Sequence, residues 1–393
     1  MTTSQFSPPP PQAHRTSRDL PSTEPTTRQV CLPRLGGLVS RLGAGMPHSV
    51  VEAVFDAMTE PWGRLPVSQL EYSDVSPDGS PLEFAVDLSS REAVIQIAVE
   101  PMATQLGQSF ADRSSAAYEA VERLEAAFGV PTDQWEAIAD VLLPRDGGQG
   151  HALMLGAELR ASAPPSFKVW LYPGVLGTDR APEVVFEALS RLGLQSSCSA
   201  LARHAARGFD TDMPILFSLD LTTEREPRTK VYFRHYDCGP DMLARHLSIY
   251  PGFHSDRVSA LGHALEGTGS MAGEQPPVTC LAFRRSRGPD PIGVTAYVPL
   301  WTCPAHDGEI RSRVAASLMA EGVRTGRYEA ALHEVTARHL DTGRGIHNYI
   351  SWQPGSGRPR MKVYFSPELR GLNPPLRYDR SHPDTDQKVE SHG

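Results

Sequence analysis

The sequence predicts an α+β fold: a closed barrel of ten antiparallel strands surrounded by helices and built from five helix–helix–strand–strand repeats. Two observations predict it. Similar strand-like strings recur around Lys168, Lys230 and Lys362. Each follows another strand-like run across a short polar or Gly/Pro-rich connection, which is the sequence pattern of a β-hairpin.

The spacing of the strings indicates two further copies. Lys230 lies 62 residues after Lys168, and Lys362 lies 132 residues after Lys230, so a strand is expected between the last two. A strand-like run with Thr295 in the lysine position fills that gap, and an earlier one carries Gln96. The preceding members of the five hairpins are expected at 82–88, 152–159, 215–221, 278–284 and 347–352.

Helical periodicity fills the segments between the hairpins. Apolar residues recur at intervals of three and four, and Pro, Gly, Ser and Thr mark the ends of these segments. Helix pairs are expected at 35–42 and 50–58, 115–128 and 132–142, 183–192 and 197–206, 240–247 and 255–265, and 310–320 and 328–340.

Ten antiparallel strands in one sheet will curl or close, and closure removes the exposed edges. Ten strands enclose more space than the eight whose interior side chains just fill. Residues two apart share one face of a strand, so Lys168, Lys230 and Lys362 should point inward while Val231 and Val363 face the helices. The alternative is an open sheet on which these lysines are solvated, as in a partner-binding scaffold.

Composition limits the classes of function. The 393 residues are 40% hydrophobic and 21% charged with a net charge of −8, which fits a soluble globular protein and disfavours nucleic-acid binding. Five scattered cysteines without a CxxC pair, together with no signal-peptide pattern, predict a reducing cytoplasm. No apolar run is long enough to cross a membrane. Residues 29–373 are expected to form one domain between disordered tails at 1–28 and 374–393.

No metal site is predicted from the sequence. The chain has neither an HExxH motif nor an Asp-Asp-x-x-Asp box, the motif by which all-α prenyl synthases hold magnesium and diphosphate. The repeated cationic strands instead favour an anion held by basic side chains, since several cations in one lumen must find an anion or repel one another.

Taken together, these strings resemble a known family. The five repeats, the strands KVWLYP, RTKVYFRHY and RMKVYFSPE, and the early string SPLEF resemble the ABBA (PT-barrel) aromatic prenyltransferases. Within that class the resemblance is to the dimethylallyltryptophan synthase type and its bacterial indole prenyltransferases, over residues 30 to 370. It implies an enzyme of secondary metabolism, such as alkaloid biosynthesis, that alkylates an indole ring with dimethylallyl diphosphate and needs no metal or other cofactor.

The resemblance also implies roles for particular residues. Glu83 corresponds to the family's indole-binding glutamate and is the first candidate for the catalytic base. The diphosphate-binding residues are expected to be Gln96, Lys168, Arg228, Lys230, Arg360 and Lys362, and the residues that shield the allyl cation are expected to be Trp170, Tyr232, Tyr297, Tyr349 and Tyr364. Gln96, Trp170 and Thr295 depart from the family pattern, and no lysine lies near Glu158 and Arg160, where fungal members often place one.

These residue types suit the chemistry. Ionisation of an allylic diphosphate leaves an anion, which fixed Arg and Lys side chains stabilise, and a cation, which π-faces stabilise without capturing it. Two alternatives stay open: the same barrel acting on a phenolic or phenazine acceptor, and a non-catalytic barrel that binds an isoprenoid diphosphate. The expected partners are small-molecule substrates, without nucleic acid or membrane, for a monomer or homodimer.

Overall fold

A closed barrel of ten antiparallel strands forms the centre of this computed structural model, which describes residues 24–374 except 225, 267–275, 302, 304, 356 and 357. Each strand pairs with the next along the chain, and the first pairs with the last to close the ring. The predicted fold is thus confirmed. The strands are β1 Leu82–Asp87, β2 Val94–Val99, β3 Leu153–Arg160, β4 Ala163–Leu171, β5 Asp212–Leu221, β6 Thr229–His235, β7 Val278–Phe283, β8 Gly293–Pro299, β9 His347–Gln353 and β10 Arg360–Phe365.

A pair of helices precedes each hairpin, as the five-fold repeat predicts. The pairs in the described residues are α1 Thr27–Arg41 and α2 His48–Thr59, α3 Phe110–Phe128 and α4 Asp133–Leu142, α5 Ala181–Arg191 and α6 Cys198–His204, α7 Pro240–Leu247 and α8 Ser255–Glu266, and α9 Asp307–Ala320 and α10 Gly326–Val335. None of these helices combines the length and the apolar character that crossing a bilayer would require.

Several predicted boundaries differ from the structure. Helix α3 begins at Phe110, five residues before the predicted start, and α10 ends at Val335, five residues before the predicted end. Helix α1 begins at Thr27, eight residues before the predicted start, because a capping box between Thr26 and Gln29 satisfies its first backbone N–H groups. This start falls within the segment predicted to be a tail, and residues 1–23 and 375–393 lie outside the described residues. The segment at Ala163, predicted to be a connection, instead begins β4, and its prolines lie at the exposed end of the strand, where a missing N–H is tolerated.

Side chains on the barrel strands alternate between two environments, as expected. Val169, Val231 and Val363 are fully buried on the outer face, in the apolar core shared with the helices. Residues one position away on the same strands, including Lys168 and Lys230, line the cavity inside the barrel. Burial of each such valine stabilises the fold by roughly 1.5–3 kcal/mol, which fixes the register and therefore the direction of the lysines.

A buried chain of hydrogen bonds connects the outer face of β5, β6 and β7 to α6. The His235 Nδ1 lies 2.7 Å from Asp212 Oδ1, and the His235 Nε2 and the His204 Nε2 lie 2.7 and 2.6 Å from Thr279 Oγ1. The His204 Nδ1 lies 2.8 Å from the Tyr250 hydroxyl. Every group is satisfied if His235 donates to Asp212, Thr279 donates to His235, His204 donates to Thr279 and Tyr250 donates to His204.

This chain requires neutral imidazoles, and burial lowers the pKa of both His204 and His235 below the usual value for histidine. Below about pH 6.5 these histidines are therefore protonated in the unfolded chain but stay neutral in the folded chain. The free energy of unfolding should fall as the pH drops. The loss amounts to as much as about 1.4 kcal/mol per pH unit for each histidine.

The His204→Gln substitution removes one of these titrating groups. We expect the variant to be less stable than the wild type at pH 7, with a difference in the free energy of unfolding that narrows between pH 6.5 and pH 5. Urea unfolding at pH 7, 6 and 5 measures this, with His333→Gln, at an exposed histidine, as the control. If the free energy of unfolding depended on pH in the same way for the wild type and His204→Gln, this account of the cluster would be contradicted.

Candidate active site

One cavity inside the barrel is lined by every residue that the sequence analysis assigned to the site. The second strand of each hairpin supplies most of them, because closure of the ring turns its polar face inward. These residues are Glu83, Gln96, Lys168, Trp170, Arg228, Lys230, Tyr232, Tyr297, Tyr349, Arg360, Lys362 and Tyr364. Their common location removes the scaffold alternative, which requires Lys230 and Lys362 to lie on an outer, solvated surface.

The cationic side chains lie together at one level of the cavity. The Lys168 Nζ and the Lys362 Nζ both donate to Oε1 of Glu158, at 2.8 and 3.1 Å, and Lys362 also donates to Gln96 Oε1 at 3.3 Å. Lys230 is more isolated, since its Nζ lies 3.8 Å from the nearest carboxylate oxygen, on Asp220. Burial and the like charge of Lys168 lower the pKa of Lys230 to about 8.

Three carboxylates accompany these cations, and the sequence analysis did not assign them to the site. Glu158 also accepts from Arg160 at 2.8 Å, Asp220 accepts from Arg228 at 2.7 Å, and Asp87 accepts from Arg360 at 3.0 Å. The inward alternation of Gly156, Glu158 and Arg160 along β3 was the available signal. Against these three carboxylates stand six cationic side chains, so this level of the cavity carries three positive charges in excess: Arg160, Lys168, Arg228, Lys230, Arg360 and Lys362.

Aromatic side chains form a second level, two residues further along the same strands. The Trp170 Nε1 donates to the Tyr232 hydroxyl at 3.1 Å. The ring of Tyr297 lies 5.8 Å from that of Tyr232 and 5.9 Å from that of Tyr364, measured between centroids. Burial raises the pKa of all three tyrosines above the usual value, so the phenols are neutral at physiological pH. The result is an uncharged arc of π-systems beside a cationic level.

A glycine makes room for the largest ring of this arc. A Cβ atom on Gly156 would lie 2.4 Å from Cζ3 of Trp170, so the indole rests directly on the β3 backbone. Only a residue without a side chain permits this approach. Ala98, on β2 beside Gly156, packs in the same cluster, so two small residues together accommodate one large ring.

Glu83 has surroundings different from those of the other carboxylates. Among the residues that the structure describes, no cation is bonded to it, and its Oε2 accepts from Asn348 Nδ2 at 3.2 Å. Burial raises the pKa of Glu83 to about 8, with the charge of Asp74 adding to the effect and the Asn348 hydrogen bond opposing it. The carboxyl is therefore largely protonated at neutral pH, and a bound N–H donor would favour its ionised form.

Two clusters in the described part of the chain have donor atoms close enough together to be considered for a metal ion: His204 with His235 and His246, and Asp74 with Glu100 and His151. The sequence analysis found neither, because the members are far apart in the chain. In the first, Thr279 already occupies the Nε2 atoms of His204 and His235. In the second, both oxygens of Glu100 lie within 3.0 Å of His151 Nδ1. Protein partners thus account for the named atoms of His204, His235, Glu100 and His151.

Comparison with solved structures shows close similarity to bacterial prenyltransferases. The 6-dimethylallyltryptophan synthase from Micromonospora olivasterospora, solved with DMASPP and Trp, superposes with a TM-score of 0.81 at 27% identity, covering 89% of this chain and 99% of that one. Prenyltransferase PriB gives 0.79 at 28% identity, covering 90% and 99%. The 5-dimethylallyltryptophan synthase from Streptomyces coelicolor gives 0.77 at 28% identity, covering 88% and 99%.

The sequence itself carries the family signature. The profile of the tryptophan dimethylallyltransferase family matches residues 54–257, which is more than half of the chain and runs from α2 into α8. Together with the PT-barrel architecture and the structural relatives, this match confirms the resemblance stated from the sequence. The chain belongs to the tryptophan dimethylallyltransferase family of prenyltransferase enzymes.

Proposed function

We propose that this protein transfers a dimethylallyl group from dimethylallyl diphosphate to the indole ring of tryptophan or a tryptophan-derived compound. The observation that carries the proposal is the convergence of three elements in one cavity inside the barrel: a cationic level, an aromatic level and the isolated carboxyl of Glu83. Family membership supports the reaction class, and relatives solved with DMASPP and Trp support the substrates.

The cationic level fits the diphosphate. A diphosphate monoester carries about three negative charges near neutral pH, which matches the excess of three positive charges at this level. Arginine binds phosphate oxygens as a fork and lysine as a point charge. Because the ammonium and guanidinium groups are held in place before the C–O bond breaks, they stabilise the departing diphosphate without reorganising.

The aromatic level fits the allyl cation. When the C–O bond breaks, its electron pair leaves with the diphosphate, and the C5 fragment becomes a delocalised cation. The faces of Trp170, Tyr232, Tyr297 and Tyr364 stabilise such a cation by roughly 0.5–2 kcal/mol each. Neutral phenols inside a closed barrel are weak nucleophiles and exclude water, so the indole carbon is the group that captures the cation.

Glu83 fits the acceptor. In this proposal its carboxylate accepts the indole N–H and raises the electron density of the ring, while Tyr349 and Asn348 lie beside it. A ring carbon forms the new C–C bond, and the proton on that carbon is then lost to restore aromaticity. Glu83, with a pKa of about 8 in the free protein, is the first candidate to receive that proton.

The proposal includes independence from metal ions, since basic side chains supply the charge that magnesium supplies in other prenyl synthases. It also includes small-molecule partners only, because the cationic groups face the lumen and not a surface that nucleic acid could follow. All five cysteines have free thiols, which supports a reducing compartment such as the cytoplasm.

The direct test is incubation with dimethylallyl diphosphate and a panel of tryptophan, tryptophan-containing peptides, phenols and phenazines, with EDTA present. We expect a product 68 mass units heavier than an indole acceptor, about the mass of one C5H8 unit. Prenylation of phenols or phenazines alone would reassign the acceptor. Donor binding without any product would favour a non-catalytic carrier, and loss of activity in EDTA would contradict metal independence.

Replacing Glu83 by Gln should separate acceptor chemistry from donor binding. The amide oxygen can still accept a hydrogen bond from the indole N–H, but it cannot take up a proton and, being neutral, polarises the ring far less than a carboxylate, so kcat/KM with tryptophan should fall roughly 100-fold or more. The dissociation constant of inorganic diphosphate should stay within about twofold of the wild-type value, since Glu83 is bonded to none of the cations. Glu119→Gln, on the outer face of α3, is the matched control. Unchanged turnover of tryptophan by Glu83→Gln would refute the indole assignment.

Binding of diphosphate should weaken in alkaline solution. The pKa of Lys230 is about 8 in the free protein, so above pH 8 a proton must be taken up before the ammonium can pair with the ligand. The dissociation constant of inorganic diphosphate, measured calorimetrically, should rise between pH 8 and 9.5 by up to about tenfold per pH unit. Lys230→Arg should flatten this rise, because the guanidinium stays charged. A flat wild-type profile to pH 9.5 would exclude Lys230 from the binding site.

A further inference from the structure

Glu158 is the carboxylate most completely surrounded by the cationic level. Two ammonium groups, from Lys168 on β4 and Lys362 on β10, donate to the same oxygen, Oε1, at 2.8 and 3.1 Å. The other oxygen, Oε2, accepts from Arg160 at 2.8 Å. Only 5% of Lys168 and 9% of Glu158 is exposed, so these contacts are largely shielded from solvent.

The Lys362 side chain extends from a distant strand to contact Glu158. Strands β1 and β2 lie between β10 and β3 around the barrel, so the Lys362 side chain must cross two strands to meet Glu158. On the way its Nζ also donates to Gln96 on β2, at 3.3 Å. The small side chain of Ala85 occupies the corresponding position of β1, beside Gln96. Glu158 therefore draws together lysines from opposite sides of this part of the lumen.

Glu158 has two opposed electrostatic effects on this level. Burial alone would raise its pKa, but Lys168 and Lys362 hold the pKa well below the usual value, so the group is a carboxylate at any physiological pH. Its charge reduces the mutual repulsion of the two ammonium groups and fixes their positions. The same charge, bonded to the same N–H groups, repels any other anion that approaches them.

We propose that Glu158 is a positioning residue that competes with diphosphate for Lys168 and Lys362, so that the lysines are held in place for the donor and the product diphosphate is released. This inference rests on the proposed function, because it assumes that these two lysines bind diphosphate. The Glu158 carboxylate and the diphosphate oxygens exchange as hydrogen-bond acceptors, and no covalent bond changes.

The Glu158→Gln substitution tests the competition. The neutral amide no longer repels the ligand, so inorganic diphosphate should bind about tenfold more tightly in calorimetry and should inhibit turnover at about tenfold lower concentration. The same variant should melt at a lower temperature without ligand, because two buried ammonium groups lose their counter-charge. Added diphosphate should then raise its melting temperature more than that of the wild type.

Two further variants sharpen the result. Glu158→Asp keeps the negative charge but, with a side chain one methylene shorter, places it farther from the two lysines. The dissociation constant of inorganic diphosphate for this variant should therefore lie between the values for the wild type and Glu158→Gln. If Glu158→Gln does not fold, Glu158→Asp serves as the test. Glu92→Gln is the matched control, because this glutamate accepts from Ser162 outside the lumen. Weaker or equal binding of diphosphate in both Glu158 variants would overturn the inference and leave Glu158 with a structural role alone. Failure of the wild type to bind diphosphate would instead overturn the proposed function.

Discussion

The structure depends on holding several like charges close together inside a closed barrel. Lys168, Lys230 and Lys362 would each be solvated on an open sheet, but closure turns them toward one another. Removing each ion from water costs several kcal/mol, and this cost is offset only where carboxylates such as Glu158 and Asp220 complete the geometry. The remaining excess of positive charge gives the cavity its affinity for a polyanion.

Departures from the five-fold repeat make the levels of the cavity chemically different from one another. At the strand position of the lysines, two of the five repeats carry the neutral residues Gln96 and Thr295 instead. Two residues further along the same strands, four of the five repeats carry an aromatic ring. Those two positions correspond to about 6.6 Å along a strand. A diphosphate held at the first level therefore places its attached allyl carbon near the second. The scaffold is nearly symmetric, and the chemistry arises from the positions at which the symmetry is broken.

The sequence was sufficient to predict the barrel and its inward lysines because both follow from repetition and alternation, whereas Glu83 and Tyr349 were assigned through the family resemblance. A residue two positions from Lys230 must share its face, and valine at the position between must face the helices. The partners of these residues were less predictable. Glu158 and Asp220 resemble ordinary polar strand residues until the register across strands is known, and His204 meets Thr279 across 75 residues of chain. Helix α1 was placed too late because Pro33, Gly36 and Gly37 mask its periodicity.

The central claim is that one lumen binds the diphosphate at its cationic level and the indole at Glu83. A crystal structure with dimethylallyl thiolodiphosphate and tryptophan tests it most directly. The account predicts diphosphate oxygens within hydrogen-bonding distance of Lys168, Lys230 and Lys362, the allyl group against Trp170 and Tyr232, and the indole N–H on Glu83. A diphosphate bound outside the barrel, or an indole with no contact to Glu83, would contradict it.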